Sequence, residues 1–311
     1  MCKSIYDRIN TLKNKIRHAV NNANDDGSMI ISKTYQQSLK NKNTHTETTV
    51  IQKIELQQQQ SFQCKIISNK TNSVMPYVAK DKRIIPNIML RSSLFGIIKK
   101  GHRKYEKNIL KCSLQNITIR FTGEQLDQTD LDVWLECLHR LCFVPIGSKV
   151  EFTAYSFLKS IDRSTGTRDY KWLKTCLVRL SICVIEIGFQ NCFYVGHLLH
   201  EYYKNIYNKK HVIVLNKRIV AFFKDDMLTA ISLNERKKLK GKYLSQWIHC
   251  FYCSHKIPLC YKVSTLNKLC GSTTKKLWKF RQSLKQALLV VASSTGWQCW
   301  IDKNDFVHIK K

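Results

Sequence analysis

Residues 234–311 impose two demands on one segment. Apolar positions recur with helical and then strand spacing, while sixteen Lys/Arg stand against three acidic residues. Such a stretch must bury a core and still present a cationic surface. The spacing predicts a helix over residues 274–291. At about 100° per residue, Leu277, Phe280, Leu284, Leu288 and Val291 fall on one face, and Lys275, Lys276, Lys279, Gln282, Ser283 and Gln286 on the other, which carries no acid.

The elements around this helix define a fold class. Leu239, Tyr243, Trp247 and Phe251 recur at four-residue steps of an earlier helix, although Gly241 and the Ser232/Glu235 capping pair suggest a break after a short linker helix. A strand over 259–263, a short helix over 264–269, a turn at 271–273 and the helix over 274–291 follow. The close is an alternating hairpin, 297–301 and 306–309, around Asp302-Lys303-Asn304-Asp305. Helix, strand, short helix, turn, helix and hairpin is the order of a winged helix, in which the third helix enters the major groove and the wing touches flanking backbone. Lysines there would contact phosphates, Gln282 and Gln286 could pair with adenine edges, and Lys303, Asn304 and Lys310 would sit on or beside the wing. A solvated lysine-rich face is the alternative for any such helix.

Residues 91–226 read the same way in outline. A strand over 113–121 precedes a helix marked by Leu131, Trp134, Leu135, Leu138 and Leu141, with acids near its start and Pro145 and Gly147 beyond its end. A strand over 150–153, a short helix over 154–161 and a longer one over 167–183 come next, then strands over 184–189, 192–200 and 211–215. Leu173, Cys176, Leu177 and Leu180 form the buried stripe of the longer helix, leaving Arg168, Lys171, Thr175 and Arg179 outward as a second head. Asp169 and Trp172 make that face less purely basic, so it suits weak DNA contact or partly protein contacts.

The expected architecture is α+β: two tandem winged-helix (helix-turn-helix) domains, 91–226 and 227–311, after a flexible basic N-terminal arm, 1–90. In the arm, Ile5, Ile9, Leu12 and Ile16 mark a basic amphipathic helix, which suits a partner groove or membrane surface as well as loose packing on its own protein. Residues 32–73 hold too little apolar surface to offset chain entropy and read as a tether.

A net charge of +30 would draw any polyanion, and double-stranded DNA is the expected partner. The longest apolar run, 287–292, is far short of a bilayer span, so no membrane partner is expected. Thirteen cysteines without framework spacing suit a reducing cytoplasm. His249, Cys250, Cys253 and His255 invite a zinc reading, but they overlap an apolar helical stripe and no second Cys-x-x-Cys follows, so small core residues are the better account. No nucleotide-binding loop and no His-apolar-His triplet for a metal-dependent nickase occurs. Neither cofactor nor catalysis is expected.

Short runs in fixed order carry a resemblance over residues 86–311. They are Arg91-Ser92-Ser93-Leu94-Phe95, Ile119-Arg120-Phe121-Thr122-Gly123, Pro145-Ile146-Gly147, Cys176-Leu177-Val178-Arg179-Leu180, Leu269-Cys270-Gly271-Ser272 and Val307-His308-Ile309-Lys310. In these the chain resembles the TrfA-type plasmid replication initiators. The resemblance implies winged-helix domains that bind directly repeated origin sequences, distort nearby DNA and recruit host replication proteins such as the helicase and host initiator, with a monomer–dimer equilibrium open. It places Arg168, Tyr170 and Arg179 in a first recognition helix and Lys275, Lys276, Trp278 and Arg281 in a second, although the wheel sets Trp278 and Arg281 at the flank. Leu94-Phe95 resembles peptides that dock in the replicative sliding clamp, and equally reads as the start of a buried strand. A repressor on the same architecture is the alternative function, and a nicking initiator the less favoured one.

Overall fold

The computed structural model describes residues 78–99, 101–114, 117–189, 192–222 and 227–311. The N-terminal helix and polar tether expected before residue 74 lie outside the described residues.

Strand β1 (Lys82–Pro86) enters one helical turn, α1 (Asn87–Leu90), and is followed by β2 (Phe95–Gly96), β3 (Tyr105–Lys111), β4 (Ile117–Glu124) and β5 (Leu126–Asp127). Helix α2 (Gln128–Leu141) starts at a capping box: the Asp127 carboxylate accepts from the Thr129 and Asp130 amides, and Asp130 accepts from the Asp127 amide. Next come β6 (Lys149–Phe152), α3 (Ala154–Ser160), α4 (Thr167–Ile182), β7 (Val184–Phe189), β8 (Cys192–Gly196), β9 (Glu201–Lys204) and β10 (His211–Val214). Beyond β11 (Leu228–Ser232), the Ser232 hydroxyl accepts from the Glu235 amide to start α5 (Leu233–Lys238). Gly241, at φ 79°, then separates α5 from α6 (Tyr243–Cys253), a left-handed turn that residues with a Cβ rarely adopt. The chain closes with β12 (Tyr261–Lys262), α7 (Val263–Leu269), α8 (Leu277–Thr295), β13 (Gln298–Ile301) and β14 (Phe306–Lys310).

Two stretches repeat one topology. In the first, α2, β6, α3 and α4 precede β9 and β10, and the antiparallel sheet runs β6-β10-β9. In the second, α6, β12, α7 and α8 precede β13 and β14, and the sheet runs β12-β14-β13. In both, the strand ahead of the helix pair is hydrogen-bonded to the last strand of the closing hairpin. The first stretch also inserts the β7–β8 hairpin, which extends β3 and β4 into the four-stranded sheet β3-β4-β7-β8.

Two expectations about boundaries are corrected. Residues 82–90 are not part of an arm: β1 pairs antiparallel with β11 from Lys82↔Ser232 to Pro86↔Leu228, and Ile84, Ile85, Ile88 and Met89 are buried. That strand begins on charge and ends on proline, so it lacks the alternation that marks strands in sequence. The pairing also ties β11, assigned to the second domain, to the core of the first. Strand β3 was not anticipated either. It leaves Tyr105, Ile109 and Leu110 exposed, a pattern with no buried face to read.

Each stretch has its own core. One gathers Phe95, Phe121, Trp134, Leu138, Phe157, Leu173, Leu177 and Ile213; the other Trp247, Phe251, Leu266, Phe280, Leu284, Leu288 and Val307. Residues 91–97 bridge the two, with Leu94 and Phe95 in the first core and Ile97 packed against the second. The Arg91 guanidinium donates to Ser254, the Trp247 indole N–H to the Ser92 carbonyl at 3.4 Å, and the Ile97 amide to the Cys270 carbonyl at 2.9 Å. At Gly271, φ 67°, a Cβ would meet that of Ser93 at 3.3 Å. The Arg91–Phe95 and Leu269–Ser272 runs that carry the resemblance therefore meet in space.

Candidate nucleic-acid interface

Helix α8 divides as its sequence predicts over most of its length. Phe280, Leu284, Ala287, Leu288 and Val291 are buried, and Lys279, Gln282, Ser283 and Gln286 are exposed. Its start differs. The helix opens at Leu277, not residue 274, because the Ser272 hydroxyl accepts from the Thr274 amide and Asn267 donates to the Thr274 carbonyl, holding 272–276 as a turn. Lys275 and Lys276 are exposed ahead of the helix, and Leu277, expected in the buried stripe, is 39% exposed. The first turn has no acidic residue and no side-chain cap, so its outermost amides stand beside these lysines. That end of the helix favours an anion.

Trp278 is 57% exposed, with the Lys279 ammonium 5.4 Å from its ring centre. The Arg281 guanidinium lies 2.5 Å from the Asp305 carboxylate, tying the helix to the β13–β14 turn. Within that turn Asp302 accepts from the Asn304 amide at 2.9 Å and the Phe306 amide at 2.8 Å, leaving Lys303 and Asn304 exposed at the tip. Lys310 is exposed at the end of β14. Lys311 instead reaches back to the His255 carbonyl at 2.7 Å, and burial lowers its pKa. Lys285 joins the exposed face of α8 and was not singled out, although its place beside Gln282 and Gln286 on the wheel would have found it.

On α4, Arg168, Lys171 and Thr175 are exposed, as is Lys174, which the sequence reading passed over. Arg179 is corrected. Only 6% of its side chain is exposed; its guanidinium donates to Glu124 at 2.8 Å and to the fully buried Asp130 at 2.5 Å. The wheel set Arg179 outward because it treats the helix as bare along its length, whereas α2 and the end of β4 cover the last turn of α4. Burial raises the pKa of Asp130 and the neighbouring Asp127 charge raises it further, while Arg179 and Arg103 oppose both. Arg179 is thus, with Arg103, an internal countercharge to Asp130. Near the start of α4, Asp169 accepts from Ser164 at 2.7 Å and from Arg163 at 2.8 Å, and Arg163 lies over the Trp172 ring at 3.5 Å. Tyr170 is half-buried.

Leu94 and Phe95 are corrected as a docking peptide. They are 0% and 2% exposed, and Phe95 opens β2, paired in parallel with Leu126. A clamp-binding peptide must offer these side chains to a partner, and here they fill the core. The four residues of the zinc reading do not converge. Arg236 donates to Cys250 Sγ, His249 lies 2.8 Å from Glu235, Cys253 lies 3.4 Å from His249, and His255 is bonded to Phe251 O and Tyr261. No helix among the described residues is long and apolar enough to cross a membrane.

A solved structure of the Pi initiator protein in complex with iteron DNA is similar at TM-score 0.50 and 10% identity, covering 76% of this chain and 99% of that one. At such identity the likeness is one of fold. A solved structure of domains 2 and 3 of RctB aligns at TM-score 0.48 and 13% identity over 69% of this chain and 94% of that one. The plasmid replication initiator protein TrfA of Escherichia coli is 26% identical over 241 residues, 74% of this chain, and the chain spans 62% of that relative's length. The sequence model of the TrfA protein family matches residues 32–311, reaching well ahead of residue 86, where the resemblance in the short motifs begins. This chain belongs to the TrfA protein family.

Proposed function

We propose that the chain is a plasmid replication initiator that binds directly repeated origin sites with two tandem winged-helix modules, one built on α2–β10 and one on α6–β14. The carrying observation is the repeated strand-before-helices topology, with sheets ordered β6-β10-β9 and β12-β14-β13, joined to the acid-free exposed face of α8. The relative from Escherichia coli named an initiator and the fold-level likeness to an initiator crystallised with iteron DNA support the same reading.

In this reading α8 lies in a major groove. Lys275, Lys276, Lys279 and Lys285 hold phosphates, Gln282 and Gln286 face base edges, and Lys303, Asn304 and Lys310 follow the flanking backbone. Arg168, Lys171, Lys174 and Thr175 form the smaller contact of the first module. Arg281 is a brace between helix and wing. Any opening of the duplex draws on binding energy, with bending offset by added backbone contacts, and the chain acts without catalysis of its own. Helicase and host initiator are the partners this role requires.

Footprinting of the full chain on the origin of the plasmid that encodes it tests the reading. Protection of several direct repeats in A·T-rich sequence is expected. Protection of one promoter palindrome alone would mark a repressor instead, and a strand break covalently joined to tyrosine would mark a nicking enzyme.

A further inference from the structure

Beside the β13–β14 turn, three side chains stand in line. Cys260 Sγ lies 3.1 Å from His308 Nδ1, and His308 Nε2 lies 2.9 Å from Asp302 Oδ2. The carboxylate can only accept, so Nε2 carries a proton, and in the neutral imidazole the bare Nδ1 accepts from the thiol. Trp300, opposite His308 in the β13–β14 register, stacks on the imidazole with ring centres 4.9 Å apart and planes 3° from parallel, fixing its orientation. A nucleophile, a base and a group that orients the base are thus arranged as nucleophilic catalysis requires. The imidazole stands between the other two groups, so the three do not converge on one point as ligands of a metal would.

Cys260 also differs from the other thiols among the described residues, of which Cys112, Cys253 and Cys299 are half-buried. It is exposed, whereas Cys137, Cys142, Cys176, Cys183, Cys250 and Cys270 are buried. Burial raises the pKa of each of those six, holding them as protonated thiols. Accessibility and a positioned base coincide at Cys260.

We propose that Cys260, with His308 as base and Asp302 as positioning residue, is a nucleophilic thiol that takes up a hydroperoxide oxygen and thereby couples oxidation to the second wing. The thiol proton passes to His308 Nδ1 and the sulfur attacks the terminal peroxide oxygen. An S–O bond forms as the O–O bond breaks, and the departing alkoxide or hydroxide takes the proton from His308. Sulfur is oxidised by two electrons to the sulfenic acid, and the peroxide is reduced to alcohol or water. The link to the wing is Asp302, whose carboxylate also accepts from the Asn304 and Phe306 amides that shape the turn bearing Lys303 and Asn304. Loss of the thiol donor disturbs the imidazole and, through it, that carboxylate. The effect on DNA rests on the proposed function; the reactivity does not.

The test is hydrogen peroxide treatment of the full chain, with dimedone trapping and peptide mass spectrometry. Cys260 is expected to be trapped first, and His308→Gln to slow its trapping by about tenfold or more, within the reach of a positioned base. Asp302→Asn, whose amide keeps an acceptor for the turn but offers a donor to His308, should slow trapping, and Asp302→Glu should restore it. Cys260→Ser should abolish that adduct and leave the fold intact. Equal trapping rates in the native and urea-unfolded chain, or an unchanged rate in His308→Gln, would overturn the proposal. Gel shifts form the second arm. Oxidised wild type should bind origin DNA at least about threefold more weakly than oxidised Cys260→Ser, and equal affinities would overturn the coupling to the wing. Absence of origin binding by the unoxidised chain would instead overturn the proposed function and leave the trapping result standing.

Discussion

Arg236 Nε lies 2.7 Å from the carboxylate of Asp132, joining α5 to α2. The two Nη groups make four further contacts: they donate to the Gln128 carbonyl at 2.9 Å, the Gln128 side-chain oxygen at 3.0 Å, the Gln246 carbonyl at 3.2 Å and Cys250 Sγ at 3.1 Å. Only 3% of this side chain is exposed. One cation therefore satisfies acceptors on α2 and α6, the helices that open the two repeated stretches.

Removing it leaves buried acceptors without a donor. Arg236→Ala is expected to cost about 3 kcal/mol, toward the low end for a broken buried pair because Asp132 keeps partial solvent access. Urea unfolding followed by tryptophan fluorescence and by circular dichroism should give coincident curves for the wild type and separated curves for the variant. Coincident curves with unchanged midpoint in Arg236→Ala would show that the two cores are coupled elsewhere.

Arg179 and Arg168 lie on the same helix and should behave in opposite ways. Arg168→Ala should weaken DNA binding with little change in stability, since its side chain is exposed. Arg179→Ala leaves the buried Asp130 with Arg103 as its remaining cationic partner and should lose about 3 kcal/mol of stability, the low end for a broken buried pair. Thermal melts and gel shifts on both variants check this, and a stable Arg179→Ala chain that fails to bind DNA would return Arg179 to the interface.

The contrast between these two arginines shows what was legible in the sequence. Periodicity located α4 and α8 and most of their buried stripes, because a helix packing on one core sorts side chains by angle. It also marked Gly241 as a break between helices. It did not see that Asp130 pulls Arg179 inward, since a contact between α2 and α4 leaves no trace in the spacing of either. For Leu94-Phe95 the buried strand start was the right alternative and the docking peptide the wrong one: a motif states which residue types are present and not whether neighbours cover them. The Cys260–His308–Asp302 line spans residues up to 48 apart in sequence, and only the register of β12, β13 and β14 brings them together.

For α8 the salt dependence of binding separates phosphate contacts from base contacts. Lys275→Ala and Lys279→Ala should each weaken binding to all sequences and reduce the salt slope by about one unit. Gln282→Ala should leave the slope unchanged and relax base preference at one position of the repeat. Titrations at two salt concentrations against native and substituted repeats check this, and unchanged affinity in all three variants would remove α8 from the interface.

Phe95→Ala should cost about 3 to 5 kcal/mol as a core cavity, with any loss of replication following the loss of folded protein. A variant that melts like the wild type and loses only clamp binding would reinstate the docking peptide.

Acid should weaken the fold through its histidines. Burial pushes His255 down to about 4, and burial likewise lowers His139, His211 and His249. Each holds a proton less readily in the folded chain than once unfolded. Stability associated with these groups is therefore fully present above about pH 6.5, the ordinary histidine value, and is lost as pH falls toward the lowered folded values. Asp130, whose pKa is raised by burial, acts with the opposite sign, losing stability as pH rises through its folded value. Urea midpoints should accordingly fall between pH 7 and pH 5. His255→Gln, which removes the most clearly shifted group, should flatten that fall. A midpoint independent of pH over this range, in wild type and variant alike, would mean that these imidazoles titrate in the folded chain as they do in water.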